Sequence, residues 1–351
     1  RFGAVRSYIE PFFGSGAVLL GRPQPFEGVE TVNDKDGFIS NFWRALQADP
    51  EAVAHHADWP VNENDLHARH IWLVGQADGL TAKLEGDPDY FDAKVAGWWV
   101  WGMACWIGGE FCSGKGPWQV VEAEDGTKRL VNTGDAGRGV NRQLVHLGNA
   151  GQGVNRKLVH LGNAGRGVNR QLVHLGDAGQ GVNRECNGLT EYFARLADRF
   201  RRVRVCCGDW TRVMGGDSGE ATQWHFAVGV PVAVFLDPPY ADTAERCEQI
   251  YRTDCTQVAH AVREWAVAHG EDRRYRIALC GYEGEHVMPA SWQCVQGKPG
   301  SSGGYGCQNK NGYANAGRER LWFSPGCLDP EDAMPLFAGL NGWHDDEDEP
   351  E

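Results

Sequence analysis

An apolar, β-branched run from Val228 to Phe235 stops abruptly at Leu236-Asp237-Pro238-Pro239-Tyr240. A run of this length and composition suits a strand buried on both faces, as in a parallel sheet. Two consecutive prolines cannot donate ladder hydrogen bonds, so Pro238 and Pro239 stop the strand and hold the chain in a stiff, extended turn. The feature therefore predicts an α/β fold with a central strand that ends in a rigid loop. That is the edge at which open α/β sheets keep their ligands.

Asp237 and Tyr240 stand on this edge. The Asp237 carboxylate and the Pro238 carbonyl can accept the two hydrogens of an exocyclic amine, and Tyr240 offers a ring for a planar base to stack on. The tetrapeptide alone is also read as a Pro-Pro turn with an incidental acid, so the rest of the chain must decide.

A chain of 351 residues can form a large α/β domain with a subdomain. No apolar run approaches membrane-spanning length and no signal peptide is evident, so no membrane partner is expected. Arg1 is not an initiator methionine, which suggests that the natural chain begins further upstream. Eleven cysteines without a CxxC pair read as reduced intracellular thiols, not as a zinc site or disulfide framework, and no metal is expected.

The net charge of −13 conceals an uneven distribution. The tail from Asp345 to Glu351 is almost wholly acidic. Between Lys128 and Arg184 lie nine cations against Asp135 and Asp177, followed by Arg195, Arg199, Arg201, Arg202 and Arg204. A polyanion would find its attractive surface there.

Near the start, a short strand Ser7-Tyr8-Ile9 leads into Glu10-Pro11-Phe12-Phe13-Gly14-Ser15-Gly16 and then the apolar helix start Ala17 to Leu20. Glycines let the backbone approach a ligand, and a helix amino terminus adds free N–H groups. Leu19 occupies the place of the third glycine of a dinucleotide fingerprint, which counts against a nicotinamide or flavin oxidoreductase. A second strand, Val29 to Asp34, ends in an acid about twenty residues beyond the glycines, the spacing at which a carboxylate reaches a ribose. Asp34 or Asp36 could equally cap the helix Phe38 to Leu46.

Residues 38–109 read as helical. Asp49-Pro50 and Asp87-Pro88 look like cap-and-proline helix starts, and the dense tryptophans Trp98, Trp99, Trp101 and Trp106 read mainly as core. Gly108 to Trp118 reads as a loop or hairpin. Residues 135–184 then repeat with a period of fourteen, three full copies and a truncated fourth. Three glycines per unit exclude a continuous helix, and the pattern suits β-hairpins with Arg142, Arg156 and Arg170 on one face. Arg138, Arg166 and Arg184 add to a candidate DNA-binding row. A flexible, dispensable insert accounts for the repeats equally well.

Beyond the repeats the α/β pattern resumes with a helix Leu189 to Phe200, a strand Val203 to Cys207 and its exit Gly208-Asp209-Trp210. Asp209 and Trp210 could take an adenine amino group and ring face, or form a surface turn. A helix Thr256 to His269, a strand Tyr275 to Cys280, a glycine-rich loop Gly297 to Gly317 and a strand Arg320 to Phe323 complete the expected elements.

The set Glu10-Pro11-Phe12-Phe13-Gly14-Ser15-Gly16, Asn33-Asp34, Gly208-Asp209-Trp210 and Asp237-Pro238-Pro239-Tyr240 resembles the Dam-like (D12 class) DNA adenine N6-methyltransferases, over residues 7–46 and 189–240. The resemblance implies a class I methyltransferase (Rossmann-like), mostly parallel seven-stranded sheet. It implies S-adenosylmethionine as cofactor and S-adenosylhomocysteine as product. The turn Glu10 to Gly16, with Phe12, Phe13, Gly14 and Ser15, would hold the methionine part, Asp34 the ribose, Asp209 and Trp210 the adenine, and Asp237, Pro238, Pro239 and Tyr240 the target base. The family's lysine-bearing G-G-K segment is not present here, and the repeats are not a general family feature.

The domains implied are a first catalytic part (1–48), a helical and repeat-bearing target-recognition insertion (49–188), a second catalytic part (189–343) and the acidic tail (344–351). The expected partner is double-stranded DNA, methylated by a cytoplasmic monomer in a bacterial or phage-infected cell, with a cognate restriction enzyme as a further partner. Cytosine C5 chemistry would need a cysteine preceded by proline, and none is present. The alternatives are amino-group methylation of RNA, protein or cytosine N4, and a DNA-binding relic without catalysis.

Overall fold

The computed structural model describes residues 1–22, 26–60, 62–106, 111–112, 118–123, 126–132, 188–215, 231–240, 258–296 and 318–329. The fourteen-residue repeats, with Arg138, Arg142, Arg156, Arg166, Arg170 and Arg184, lie outside the described residues. So do the glycine-rich stretch 297–317 and the acidic tail.

In chain order the first elements are β1 (Ser7–Glu10), α1 (Ala17–Leu20), β2 (Val29–Asp34), α2 (Gly37–Ala48), α3 (Pro50–Ala57), α4 (Glu63–Gly86) and α5 (Ala93–Cys105). A hairpin of β3 (Trp118–Glu122) and β4 (Lys128–Asn132) follows. After the repeats come α6 (Leu189–Phe200), β5 (Val203–Cys207), α7 (Thr211–Met214), β6 (Val232–Leu236), α8 (Val258–Gly270), β7 (Tyr275–Tyr282), β8 (Gln293–Gln296) and β9 (Glu319–Phe323).

Seven strands form one sheet in the order β5-β2-β1-β6-β7-β9-β8. The five from β5 to β7 are mutually parallel, while β9 runs antiparallel to both β7 and β8. The expected mixed α/β architecture with a mostly parallel seven-stranded sheet is thus present.

Burial on both faces explains why the central strands are apolar without alternation. Along β6, Ala233 and Phe235 face one core, and Val232, Val234 and Leu236 face the other. Tyr8 and Ile9 of β1 divide between the same two cores. The first core is covered by α2, α3, α5 and α6, the second by α7, α8 and Trp292. Aromatic packing fills the first: the Trp43 and Phe200 rings stack at 4.5 Å and 9°, a geometry that adds about 0.5–1.5 kcal/mol beyond simple burial. Trp99, Trp101 and Trp106 are buried there as well, in keeping with their reading as core. Val53, Leu66 and Trp101, from the stretch read as an insertion, share this core with Tyr8 and Phe42.

Helix starts follow local chemistry. Asp36 caps α2 by accepting from Phe38 N–H at 2.8 Å, and Asp49 caps α3 with Pro50 in its first turn. Asp87-Pro88 does not open α5. Asp87 instead forms a turn by accepting from Asp89 N–H, and the cap of α5 is Asp92, which accepts from Val95 N–H at 2.9 Å. Asn41 and Asp92 exchange two hydrogen bonds of 2.9 Å and so lock that cap onto α2. Three features went unforeseen: α7, β8 and the β3–β4 hairpin.

Candidate active site

The chain builds β1, β2 and β5 outward on one side, then crosses back to place β6 and β7 on the other side of β1. The carboxyl ends of β1 and β6 therefore flank the point where the winding reverses, and an open α/β sheet leaves its ligand crevice at that point. Glu10 to Gly16 leave the end of β1, and Asp237 to Tyr240 leave the end of β6. Two segments separated by more than two hundred residues thus exit adjacent parallel strands, paired at Tyr8 with Ala233 and Ile9 with Val234.

The glycine turn is held by a hydrogen-bond web. Phe13 N–H donates to Asn33 O and Gly16 N–H to Phe13 O, both at 3.0 Å. The Asp34 carboxylate accepts from Gly14 N–H at 2.9 Å and Asp36 N–H at 2.8 Å. Gly14 and Gly16 both have positive φ, 49° and 71°, where other residues are strained. Their surroundings differ: a Cβ on Gly16 would strike the Phe13 ring at 2.7 Å, whereas one on Gly14 would meet nothing within 4 Å. Gly16 is small for packing, and Gly14 leaves open space beside the turn.

Asn33 joins three strand ends. Its Nδ2 donates to Pro11 O at 3.1 Å and Gly208 O at 3.0 Å, and Gly208 N–H donates to Asp34 O at 3.0 Å. The side chain is buried, and its Oδ1 has no hydrogen-bond partner among the described residues. An unmatched acceptor buried at a strand-end junction is costly unless something else meets it.

On the other side of the crevice, half-buried Asp237 accepts hydrogen bonds from the Tyr240 hydroxyl and the Cys280 thiol. Burial first, and then the charge of Glu319, push its carboxyl up to about 6. Burial likewise raises Glu10 to about 8, opposed by a 2.7 Å hydrogen bond from the Tyr8 hydroxyl and assisted by the charge of Asp237. The Cys280 thiol is pushed well above its usual range by burial and by Asp237, Glu319 and Glu10. It is a hydrogen-bond donor, not a nucleophile. The Tyr240 and Tyr282 rings meet edge to face at 4.5 Å, with the Arg318 guanidinium 5.3 Å from the Tyr282 ring centre.

The other sequence-predicted residues take varied positions. Phe12 and Ser15 are half-buried in the turn, and Phe13 is core. Asp209 is exposed at the end of β5, where its Oδ1 accepts from Thr211 N–H and Oγ1. Trp210 is buried among Val213 and Met214 and packs on Phe12 at 6.2 Å. The turn, Asp34, Asp209 and the Asp237 loop all emerge at one edge of the sheet.

Cys280, Tyr282 and Glu319 were not singled out from the sequence, and Asn33 entered only as the neighbour of Asp34, with no role of its own. Only position could have found them: Asn33 precedes the acid that ends β2, and Cys280 and Tyr282 lie at the end of an apolar strand. Among the described residues no group of His, Cys, Asp and Glu could hold a metal ion, and no helix is long and apolar enough to cross a membrane. The chain matches no protein-family model and no curated protein.

Proposed function

We propose that the protein is an S-adenosylmethionine-dependent DNA adenine N6-methyltransferase of class I fold. The observation that carries this reading is the convergence of the glycine turn after β1 and the Asp-Pro-Pro-Tyr loop after β6 on one crevice at the winding reversal. Neither motif alone is specific, but their placement side by side is what a methyl donor and an amine acceptor require.

The crevice suits the cofactor in three respects. Gly14 leaves room beside the turn, Asn33 Oδ1 is an unmatched acceptor at its base, and the wall is rich in carboxyl groups that favour a cation. Glu10 to Gly16 would hold the methionine part, Asp34 would lie beside the ribose, and Asp209 beside the adenine. Trp210 supports this side from within the core, behind Phe12. When bound, S-adenosylmethionine supplies an electrophilic methyl group on a positively charged sulfur.

The remaining requirements fall to the chain. An ionised carboxylate has about four acceptor positions, so Asp237 retains capacity for an amine hydrogen while bonded to Tyr240 and Cys280. Pro238 offers its carbonyl to the second hydrogen, and Pro239 keeps the pair rigid. Together they orient the nitrogen lone pair of an extruded adenine, with Tyr240 as the stacking surface. Double-stranded DNA is the proposed partner, drawn by the arginines of the repeats.

Asp237→Ala is expected to abolish methyl transfer while S-adenosylmethionine binding persists. Radiolabelled methyl incorporation into duplex DNA, RNA and protein, with calorimetry on the same variant, tests this. Undiminished incorporation into DNA by the variant would remove Asp237 from the chemistry, and incorporation into RNA or protein alone would replace the substrate assignment.

A further inference from the structure

We propose that Glu10, Asp237 and Glu319 form a charge filter along the carboxyl edge of the sheet, favouring the sulfonium methyl donor over its neutral thioether product and releasing a proton to solvent as the donor binds. The inference rests on the assignment of the crevice to S-adenosylmethionine, and it assigns to that site a discrimination and a proton linkage.

Strand periodicity puts the row together. Side chains alternate between the faces, and Tyr8, Phe235 and Cys280 belong to the first core. Two residues beyond Tyr8 is Glu10, and two beyond Phe235 is Asp237, so both return to that face at the strand ends. β9 runs antiparallel to β7 with Tyr282 opposite Glu319 and Cys280 opposite Leu321. Since Leu321 packs on the same core, Glu319 falls on that face too. The charges of all three acids reach the Cys280 thiol, which lies between them.

The cations nearby have other partners. Arg22, whose charge reaches Glu10, lies over the Tyr8 ring at 3.8 Å and bonds to Glu30 at 3.2 Å. Arg199 closes on the same Glu30 with bonds of 2.7 and 3.0 Å. Arg320 pairs with Glu283 at 2.8 Å, and Arg318 sits by the Tyr282 ring. Beyond these, Glu10 faces Tyr8, Glu30 and Asp237, while Asp237 faces Tyr240, Cys280, Glu285 and Glu319. Among the described residues acids thus predominate around the row. The open side of Gly14 and the unmatched Asn33 Oδ1 leave a place for a ligand beside it.

At neutral pH Glu10 carries a proton, because burial and Asp237 hold it near 8. A positive sulfur in the crevice favours the carboxylate, so the proton leaves to water as the donor binds. Transfer breaks the methyl–sulfur bond with both electrons left on sulfur, and the amine nitrogen gains the methyl and gives up one proton to solvent. Sulfur is then neutral, Glu10 takes up a proton from solvent, and the product loses its electrostatic hold.

Calorimetric titration of the full chain with S-adenosylmethionine and with S-adenosylhomocysteine, from about pH 6 to about pH 9, tests the filter. Buffers of different ionisation enthalpy count the protons released. Donor affinity is expected to rise about tenfold across this range, as a one-unit displacement of one acid implies, while product affinity changes less than about twofold. Both ligands carry an α-amino group that titrates near the same pH, so the difference between them isolates the protein. Glu10→Gln should remove most of that difference. Parallel pH profiles for the two ligands, or an unchanged difference in the variant, would overturn the filter while leaving the cofactor site standing. If neither ligand binds, the cofactor assignment itself fails. Should the variant not fold, proton release in the unaltered protein decides: equal release with both ligands overturns the proposal.

Discussion

Glu10 and Asp237 are carboxyl groups that burial pushes up, with the charge of Asp237 adding to the shift of Glu10 and the charge of Glu319 to that of Asp237, and both effects can be measured. In the unfolded chain Glu10 ionises near the ordinary value of 4.5, and in the folded protein near 8. Between those values the folded state binds the extra proton, so stability falls as pH rises, by up to about 1.4 kcal/mol per unit. Glu10→Gln keeps the Tyr8 contact without the titration. Its denaturant midpoint should gain on the unaltered protein steadily from about pH 5 to about pH 8, and equal slopes for the two proteins would show that Glu10 ionises normally. Asp237 acts in the proposed chemistry as an ionised acceptor, a form present above its value of about 6 and lost below it. The single-turnover rate should therefore fall as pH drops through 6, and a flat acid limb in rate measurements would dissociate the carboxylate from the reaction. At this scale Asp237 was legible because two prolines fixed its context. Cys280 and Asn33 were not, because their importance comes from neighbours distant in sequence: Asp237 lies on another strand, and Gly208 is joined to Asn33 by a bond spanning 175 positions. Trp210 is a different case. An indole beside a strand-end acid looks like a stacking platform, and in the structure it packs against Val213 and Met214 in the second core.

Among the elements, the buried parallel strands were the most legible. β2, β5 and α6 span the expected residues, and β1, β7 and β9 differ from expectation by at most two residues at an end. Burial on both faces imposes a composition that no loop shares. The edges carry no such imprint. Three of the four residues of β8 are exposed, so its sequence is polar and gives no strand signal, and the β3–β4 hairpin forms a separate two-stranded sheet. Caps were read from short motifs, and the error at Asp87 is instructive: aspartate before proline is as good a turn as a helix start. The position of the α5 cap was decided by the reciprocal Asn41–Asp92 contact, which joins residues 51 apart. Asp92→Ala removes the cap and leaves the Asn41 pair, which uses the Asp92 backbone, in place. It should cost about 1 kcal/mol, read as a shift in the urea midpoint, whereas Asp87→Ala should cost less than about 0.5 kcal/mol. Equal costs would mean that the helix start is not held by Asp92.

For the whole molecule, the central problem is a sheet assembled from distant parts of the chain. β1 and β2 precede the repeats, β5 to β9 follow them, and α6 docks back onto α2 and α3 while β5 pairs with β2. Buried contacts between the two parts do this. Arg199 of α6 clasps Glu30 of β2, and Gln47 of α2 donates to Phe200 O and Val203 O at 2.7 and 2.8 Å. The chain leaves β4 at Asn132 and resumes in α6 at Leu189, and shortening a connection alters its closure entropy slowly, by about 0.6 kcal/mol per halving. Removal of residues 135–184 should therefore leave the melting temperature and S-adenosylmethionine binding essentially unchanged. It also removes the seven cations Arg138, Arg142, Arg156, Lys157, Arg166, Arg170 and Arg184. If they pair with phosphates, DNA affinity should fall and the slope of log affinity against log salt should become shallower by about 0.9 for each phosphate no longer neutralised. Salt titrations of duplex DNA binding by the deleted and full-length chains measure both quantities. An unchanged slope would place the DNA surface on other residues, with Arg195, Arg201, Arg202 and Arg204 around α6 and β5 the next to test. A deleted chain that no longer bound S-adenosylmethionine would instead show that the two parts of the sheet depend on the repeats for their assembly.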